Sequence, residues 1–344
     1  MSESMDPSVP LSATQMTGNL LSILIAFTGI LLNSGILFVI SKSSTLTKYD
    51  NYFTLGQIIF DLLTALLAVF EFSYATINLN FLYDYSTCQI LGWLINFLSI
   101  CSLFCVFSIA ISPYRILVKK VQALSTRQTY VALVLIVLFS AFISSLGFFI
   151  NEPYVVRRNR GYCCLNLEAE TIGFVVVLAA TLSCYTVPTL ITLYLYLQLW
   201  KCFKVEKEDD MDKDLVSSDR SKTLQLYVAK RGLLVFVIYL VCYAYPVGFH
   251  IVKTSIHGRA PVMYDNFNIW LILMNGVANP IAYMNSEPRF KKVLKQYFLA
   301  SFLSESVPMS TKKSTRVSDN THRSVDPQMM QIKPDQQGLA TVKM

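Results

Sequence analysis

The sequence predicts an all-α membrane protein: a seven-transmembrane helix bundle followed by an amphipathic helix eight. Three observations predict it. Of the 344 residues, 53% are hydrophobic and 15% charged, with a mean hydropathy of +0.47, against about a quarter charged in an average soluble domain. Seven apolar stretches, about 18–40, 53–77, 88–114, 129–150, 171–200, 230–253 and 266–286, are long enough to cross a hydrocarbon core of about 30 Å. The Lys and Arg residues divide unevenly between the two sides these spans define, 24 against 5.

This composition excludes an ordinary soluble enzyme. The 19 Tyr and 22 Phe suit helices that touch lipid and its interfaces, and 13 Gly with 12 Pro exclude a collagen-like or broadly disordered chain. A net charge of +7 suggests a nucleic-acid partner only until its distribution is read. The charge lies in loops and tail, so no nucleic acid is expected.

Residues 1–19 form a short extracellular segment, too short for a folded ligand-binding domain. No Lys or Arg precedes Lys42, so the first span lacks the basic leader of a cleavable signal peptide and reads as a retained helix. The positive-inside rule places the amino terminus outside and the carboxyl terminus in the cytoplasm of a multi-pass plasma-membrane protein, and an odd number of spans agrees. Residues 20–286 make up the bundle.

Two acids lie in the second span. An ionisable side chain in a bilayer costs a few kcal/mol, so Asp61 in QIIFDLLTALL needs a polar pocket. Asn33 in LLNSGIL, Ser102 in CSLFC, and Asn275 and Asn279 in MNGVANP are the other mid-span polar residues. Asn275 and Asn279 are four apart and share one helix face. The five are expected to form one buried cluster around Asp61, holding water or a sodium ion. Glu71 lies ten residues beyond Asp61, where it either snorkels to water or lines an outward cavity.

Cys88 begins the third span, and Cys163 and Cys164 lie in the loop between spans four and five, on the disulfide-permissive side. One bridge from Cys88 to one of the pair is expected, and the partner stays open. His250, His257 and His322 are far apart with no acid cluster beside them, so no metal site is expected. Arg157, Arg158 and Arg160 read as solvated loop charges.

The segment from Lys201 to Arg231 mixes eight basic with seven acidic residues and reads as a solvated cytoplasmic loop flanked by helix extensions. Residues 287–303 keep Phe290, Val293, Leu294 and Phe298 opposite Lys291, Lys292 and Lys295, the pattern of a helix lying on the membrane surface in contact with lipid. Residues 304–344, rich in Ser and Thr, read as a disordered cytoplasmic tail open to phosphorylation.

Taken in order, these positions resemble the rhodopsin-like (class A) G-protein-coupled receptors over roughly Asn19 to Leu303. Asn33 looks like the family's helix-one Asn, and Asn51-Tyr52-Phe53 with Asp61-Leu62 like its helix-two signature. Cys88 sits where the bridging cysteine sits, Pro188 with Tyr196 looks like the helix-five pair, and Pro246 like the helix-six proline. Most specific is Asn279-Pro280-Ile281-Ala282-Tyr283 followed by Phe290, which resembles the NPxxY end of helix seven and the start of helix eight.

The departures mark a divergent member. Aligned on Cys88, the family's Asp/Glu-Arg-Tyr motif falls on Ser112-Pro113-Tyr114, so only the Tyr survives. Arg115 is two residues on, about 200° around a helix, and cannot point where the missing Arg would. Pro113 also removes a backbone donor and favours a kink or an early helix end. No Asp or Glu lies between Ser221 and Lys253, so the acid that would pair with that Arg is missing as well. In VCYAYP, Ala244 stands where the family usually has Trp, and Tyr243 or Tyr245 is the candidate substitute. Ile95 replaces the Asp of amine receptors, and span seven has no Lys for a retinal Schiff base.

The resemblance implies a non-enzymatic receptor that passes the binding of an extracellular ligand to a heterotrimeric G protein, with arrestins and receptor kinases acting on the tail. It implies no cofactor beyond an allosteric sodium ion. Glu71, Ile95, Asn96 and Tyr185 are candidate ligand contacts, chosen from depth and helix face. Ser112, Pro113, Tyr114, Pro188, Tyr196, Pro246, Pro280 and Tyr283 are the candidate activation switch. A decoy or scaffold receptor, favoured by Ser112-Pro113, and a membrane transporter are the alternatives.

Overall fold

The computed structural model describes residues 13–42, 52–77, 85–122, 124–149, 154–156, 163–165, 172–209, 228–243, 262–286, 290 and 293. They form seven helices: α1 (Ala13–Lys42), α2 (Tyr52–Ile77), α3 (from Tyr85), α4 (Thr126–Ser145), α5 (Ile172–Asp209), α6 (228–243) and α7 (Val262–Ser286). Five described stretches are long and apolar enough to cross a membrane. A helix suits this setting because every backbone donor finds its acceptor within the segment, where lipid supplies none. Hydroxyls follow the same rule. Ser22, Thr28, Thr64 and Ser108 each donate to a carbonyl four residues back.

The bundle is apolar outside and polar within. Leu24, Phe27, Leu31 and Phe38 of α1 and Val134, Leu135, Leu138 and Phe142 of α4 are exposed, while Asn33, Gln57, Asp61, Ser102, Asn275 and Asn279 are buried. That inversion fits lipid as the solvent. Helices α1, α2 and α7 share a core of Ala26, Ala65, Ala68, Phe72 and Leu273. Helices α3, α5 and α6 share a larger one that includes Leu103, Phe107, Tyr196, Phe236 and Tyr239.

Three prolines alter backbone bonding. Pro113 cannot donate to the carbonyl four residues back, that of Ile109. There α3, helical over Tyr85–Ile109, passes through a turn at Ala110 and a short piece Ile111–Pro113, and then widens into a π-helical stretch, Tyr114–Val118. The predicted end at 114 is therefore four residues early: the proline changes the helix type and does not stop the helix. The chain then breaks at Lys120, whose φ is 55°. Pro188 sits inside α5, which continues to Asp209, past the predicted 200. Pro280 sits inside α7 and frees the Gly276 carbonyl, which accepts a 2.8 Å bond from the Asn33 amide of α1.

The loop after α4 adds a feature absent from the helical prediction, an antiparallel pair of β1 (Tyr154–Val156) and β2 (Cys163–Leu165). Cys163 is the residue bridged to Cys88, with Cα atoms 5.3 Å apart. Pro246, Ala244, the three loop arginines, residues 210–227, most of the predicted amphipathic helix and the tail lie outside the described residues. Of helix eight, Phe290 and Val293 are described. Phe290 is buried against Tyr283, Ile36, Val39 and Ile58, so it faces the bundle where lipid contact was expected.

Candidate functional site

The predicted polar cluster centres on Asp61, which is 6% exposed. Ser102 of α3 donates to one carboxylate oxygen at 2.5 Å, and the Asn279 amide of α7 donates to the other at 3.2 Å. A cavity of about 20 Å³ adjoins it, lined by Asp61, Ser99, Tyr243, Asn275 and Gly276 among others. That volume admits one water-sized species. Asn275 faces it with a carbonyl oxygen that has no hydrogen-bond partner among the described residues. Asn33 stands one layer away, bonded to the carbonyls of Gly29 and Gly276. Three of the five predicted residues thus meet directly, the fourth lines the cavity, and the fifth braces its wall. A carboxylate with neutral oxygens beside a one-particle cavity suits a monovalent cation or a water molecule. Among the described residues, no group of three His, Cys, Asp or Glu side chains is placed to hold a metal ion.

Tyr243, one of two candidate substitutes for the missing Trp, both lines this cavity and begins an aromatic series. Its ring lies 5.8 Å from Tyr185 of α5 and 4.9 Å from Tyr239. Tyr239 adjoins Phe236 at 6.4 Å and Phe107 of α3 at 5.5 Å, and Phe236 lies 5.6 Å from Tyr196. Aromatic contacts therefore run from beside Asp61 toward the end of the bundle that carries Pro113.

At that end, helix three offers no cation to the interior. Ser112 and Pro113 are buried and Tyr114 is half-buried. Arg115 reaches the Gln122 carbonyl at 3.3 Å, away from the bundle axis. The buried charge comes from α6. Arg231 is 2% exposed. Its guanidinium carbon lies 4.9 Å from the centre of the Tyr283 ring, and Nη2 donates to the Thr54 hydroxyl at 3.4 Å. The Tyr196 hydroxyl of α5 is buried with no hydrogen-bond partner among the described residues. That hydroxyl lies over Gly232, where a methyl group would collide with it.

The position of Arg231 corrects its assignment to the solvated loop, where it counted as the last cation after Lys201. One charge among 24 does not alter the side-to-side bias. The missed signal was spacing: Arg231, Val235, Tyr239 and Tyr243 recur every four residues, and all are buried.

At the disulfide end, the four candidate ligand contacts face different neighbours. Glu71 is 1% exposed, so of its two predicted placements, snorkelling to water does not occur. The backbone of Cys163 lies beside it, yet neither carboxylate oxygen completes a hydrogen bond among the described residues. Asn96 donates to Ser144 of α4 at 3.3 Å. Tyr185 stacks on Tyr243, and Ile95 is half-buried.

Sequence gave no sign of the hairpin's seat. Gln89 both donates to the Tyr154 carbonyl at 2.5 Å and accepts from its N–H at 3.2 Å. The Tyr154 hydroxyl donates to the Ser144 carbonyl at 2.9 Å. Its ring lies on Gly92, where a Cβ would come within 2.7 Å. Burial pushes the Tyr154 phenol up to about 12, with the Asn96 side chain pulling the other way.

Residues 32–283 match the sequence profile of the 7 transmembrane receptor (rhodopsin family). The crystal structure of squid rhodopsin superposes with a TM-score of 0.75 over 91% of this chain and 97% of that one, at 14% sequence identity. At that identity the likeness is one of fold. No curated protein sequence matches the chain. The profile covers well over half of the residues, among them Asn33, Asp61, Cys88 and the Asn279–Tyr283 run, and the chain therefore belongs to the rhodopsin family (class A) of G-protein-coupled receptors, multi-pass membrane proteins that are receptors and not enzymes.

Proposed function

We propose that this chain is a plasma-membrane receptor, with its amino terminus outside and its carboxyl terminus in the cytoplasm, that passes the binding of an extracellular ligand to a heterotrimeric G protein. The observation that carries this reading is the unbroken series of contacts from the Asp61 cavity through Tyr243, Tyr239 and Phe236 to Tyr196. A ligand that favours one packing of this series over another shifts a two-state equilibrium by its difference in affinity for the two states. The ligand enters at the disulfide end, with Glu71, Ile95, Asn96 and Tyr185 as its candidate contacts. Arrestins and receptor kinases act on the tail.

The cavity beside Asp61 takes a sodium ion. In ligand-free receptor, sodium chloride is expected to raise thermal stability above choline chloride at equal ionic strength, and Asp61→Asn is expected to abolish the difference. An unchanged sodium dependence in the variant would remove the ion from the mechanism.

The test of coupling is ligand-independent nucleotide exchange on a panel of G proteins, with membranes carrying wild type, Pro113→Arg or a matched expression control. Exchange above control by the wild type supports the receptor reading. Exchange by Pro113→Arg alone supports a second reading, a decoy or scaffold receptor that binds ligand without coupling. The buried, uncharged Ser112-Pro113 pair is the observation that favours it.

A further inference from the structure

Asp61 and Glu71 are the two buried acids among the described residues, and their surroundings differ. Asp61 has donors from two helices and a cavity of about 20 Å³ beside it, room for one water-sized species and none for an organic group. Glu71, ten residues toward the disulfide end, is 1% exposed, and neither carboxylate oxygen has a hydrogen-bond partner among the described residues. The polar side chains of the neighbouring part of α3 are committed elsewhere. Gln89 uses both ends of its amide on the Tyr154 backbone, and Asn96 donates to Ser144. The walls are apolar: Leu67 and Ala75 stand one turn to either side of Glu71 on the same face of α2, and they pack with Cys88, Leu91 and Cys163. Every Lys and Arg whose side chain is described lies toward the Pro113 end of the bundle, and no His is among the described residues.

A carboxylate enclosed by apolar groups gives up its hydration without matching donors. A glutamine of the same shape would fit there at lower cost, so the acid lowers stability, and departures of that kind collect at functional sites. We infer that Glu71 is the anchor for a cationic group on the receptor's ligand, a protonated amine or a guanidinium. This chain reads the ligand's charge from α2, beside the Cys88–Cys163 bridge, since α3 carries no Asp or Glu. Because the carboxylate is enclosed, the cation reaches it only as Leu91 or the Cys163 strand shifts, so binding and repacking are a single event. A charge-assisted pair formed in so dry a site is stronger than the same pair in water. The inference rests on the reading of the chain as a ligand-activated receptor, and stability and binding test it without recourse to coupling, so the two can fail separately.

The first readout is thermal unfolding of the full chain in lipid nanodiscs with no probe added. Glu71→Gln keeps size and polarity and removes the charge, and it is expected to unfold at or above the wild-type temperature. A carboxylate already held by a cation of the chain itself gives the opposite result, and a fall in unfolding temperature overturns the inference. The second readout is binding of three probes that differ in charge, phenethylamine, 2-phenylethanol and 3-phenylpropionate, followed by ligand-observed magnetic resonance against empty nanodiscs. Wild type is expected to bind the amine about tenfold more tightly than the alcohol. Glu71→Gln is expected to erase that preference, and Glu71→Lys to turn it toward the carboxylate probe. Glu71→Asp, which keeps the charge on a shorter stem, is expected to keep the order with weaker binding.

Equal affinity for amine and alcohol in the wild type, or a preference that survives Glu71→Gln, overturns the inference. If Glu71→Lys does not fold, Glu71→Gln and Glu71→Asp decide it by the same criterion. Nucleotide exchange is read on the same samples. A preference for the amine without exchange leaves Glu71 as the anchor and removes the coupling reading, while exchange by a receptor with no such preference removes the anchor and keeps the coupling.

Discussion

Two of the ionisable side chains that the bundle buries, Asp61 and Arg231, lie at different depths and are accommodated in different ways. Asp61, in the middle, is held by neutral donors from two other helices, Ser102 and Asn279, and keeps an adjoining cavity the size of one particle. Arg231, at the Pro113 end, lies over an aromatic face and donates to a hydroxyl. The middle leaves room for one small particle: its donors are short side chains, and its cavity is lined by Asp61, Ser99 and Asn275 together with apolar Ala65, Ile272 and Leu273. At the Pro113 end the charge lies instead against a ring face from α7 and a hydroxyl from α2. A buried charge survives in lipid wherever local dipoles or π electrons stand in for water, and the kind of stand-in decides what can move.

Asp61→Ala should produce the largest loss in stability. It strands the Ser102 hydroxyl and the Asn279 amide in the interior, and the expected cost is about 3 kcal/mol in chemical or thermal unfolding. A loss below about 1 kcal/mol would show that water already substitutes for the carboxylate, and the contrast with Arg231 would disappear.

The disulfide end supplies a third environment, where Tyr154 is buried as a neutral phenol. The free Tyr154 phenol titrates near 10.0 and the folded one near 12. The folded state therefore binds the proton more tightly, and its contribution is fully present below pH 10, shrinks as pH rises, and is gone above about 12. Over that window stability should fall by about 2 to 3 kcal/mol, and Tyr154→Phe should flatten this part of the unfolding profile. An equal slope in the variant would place the titrating group elsewhere.

Gly232→Ala tests how tightly the Pro113 end is packed. A methyl group there meets the Tyr196 hydroxyl and comes within 3.1 Å of Ile109. Overpacking of this kind costs about 1 to 3 kcal/mol, and the variant should also move Tyr196 relative to Arg231. The matching substitution at Gly276, whose Cβ would meet Asp61 at an ordinary 3.9 Å, should cost less. Equal losses at the two glycines would erase the distinction between a packed end and a roomy middle.

The smallest effect should come far from both charges. Ser125 and Gln128 form a capping box at the start of α4. Ser125→Ala should cost about 1 kcal/mol and leave sodium dependence unchanged.

The residues themselves determined the class of the molecule. Spans of 20 or more apolar residues have no stable alternative to a helix in lipid, and charge asymmetry predicts their direction. Asp61 and its asparagines were legible for a related reason: a polar residue within an apolar run is costly, so its presence alone says that partners exist. The tertiary structure decided what depends on meeting between distant segments. It selected Cys163 over Cys164, seated Tyr154 on Gly92 and Gln89, and turned Phe290 from lipid to Tyr283. It also took Arg231 from a run of loop cations into the interior. In sequence, nothing about a basic residue beside a run of loop cations says where it points, and the arrival of Tyr283 and Thr54 from two other helices gives the inward direction its partners.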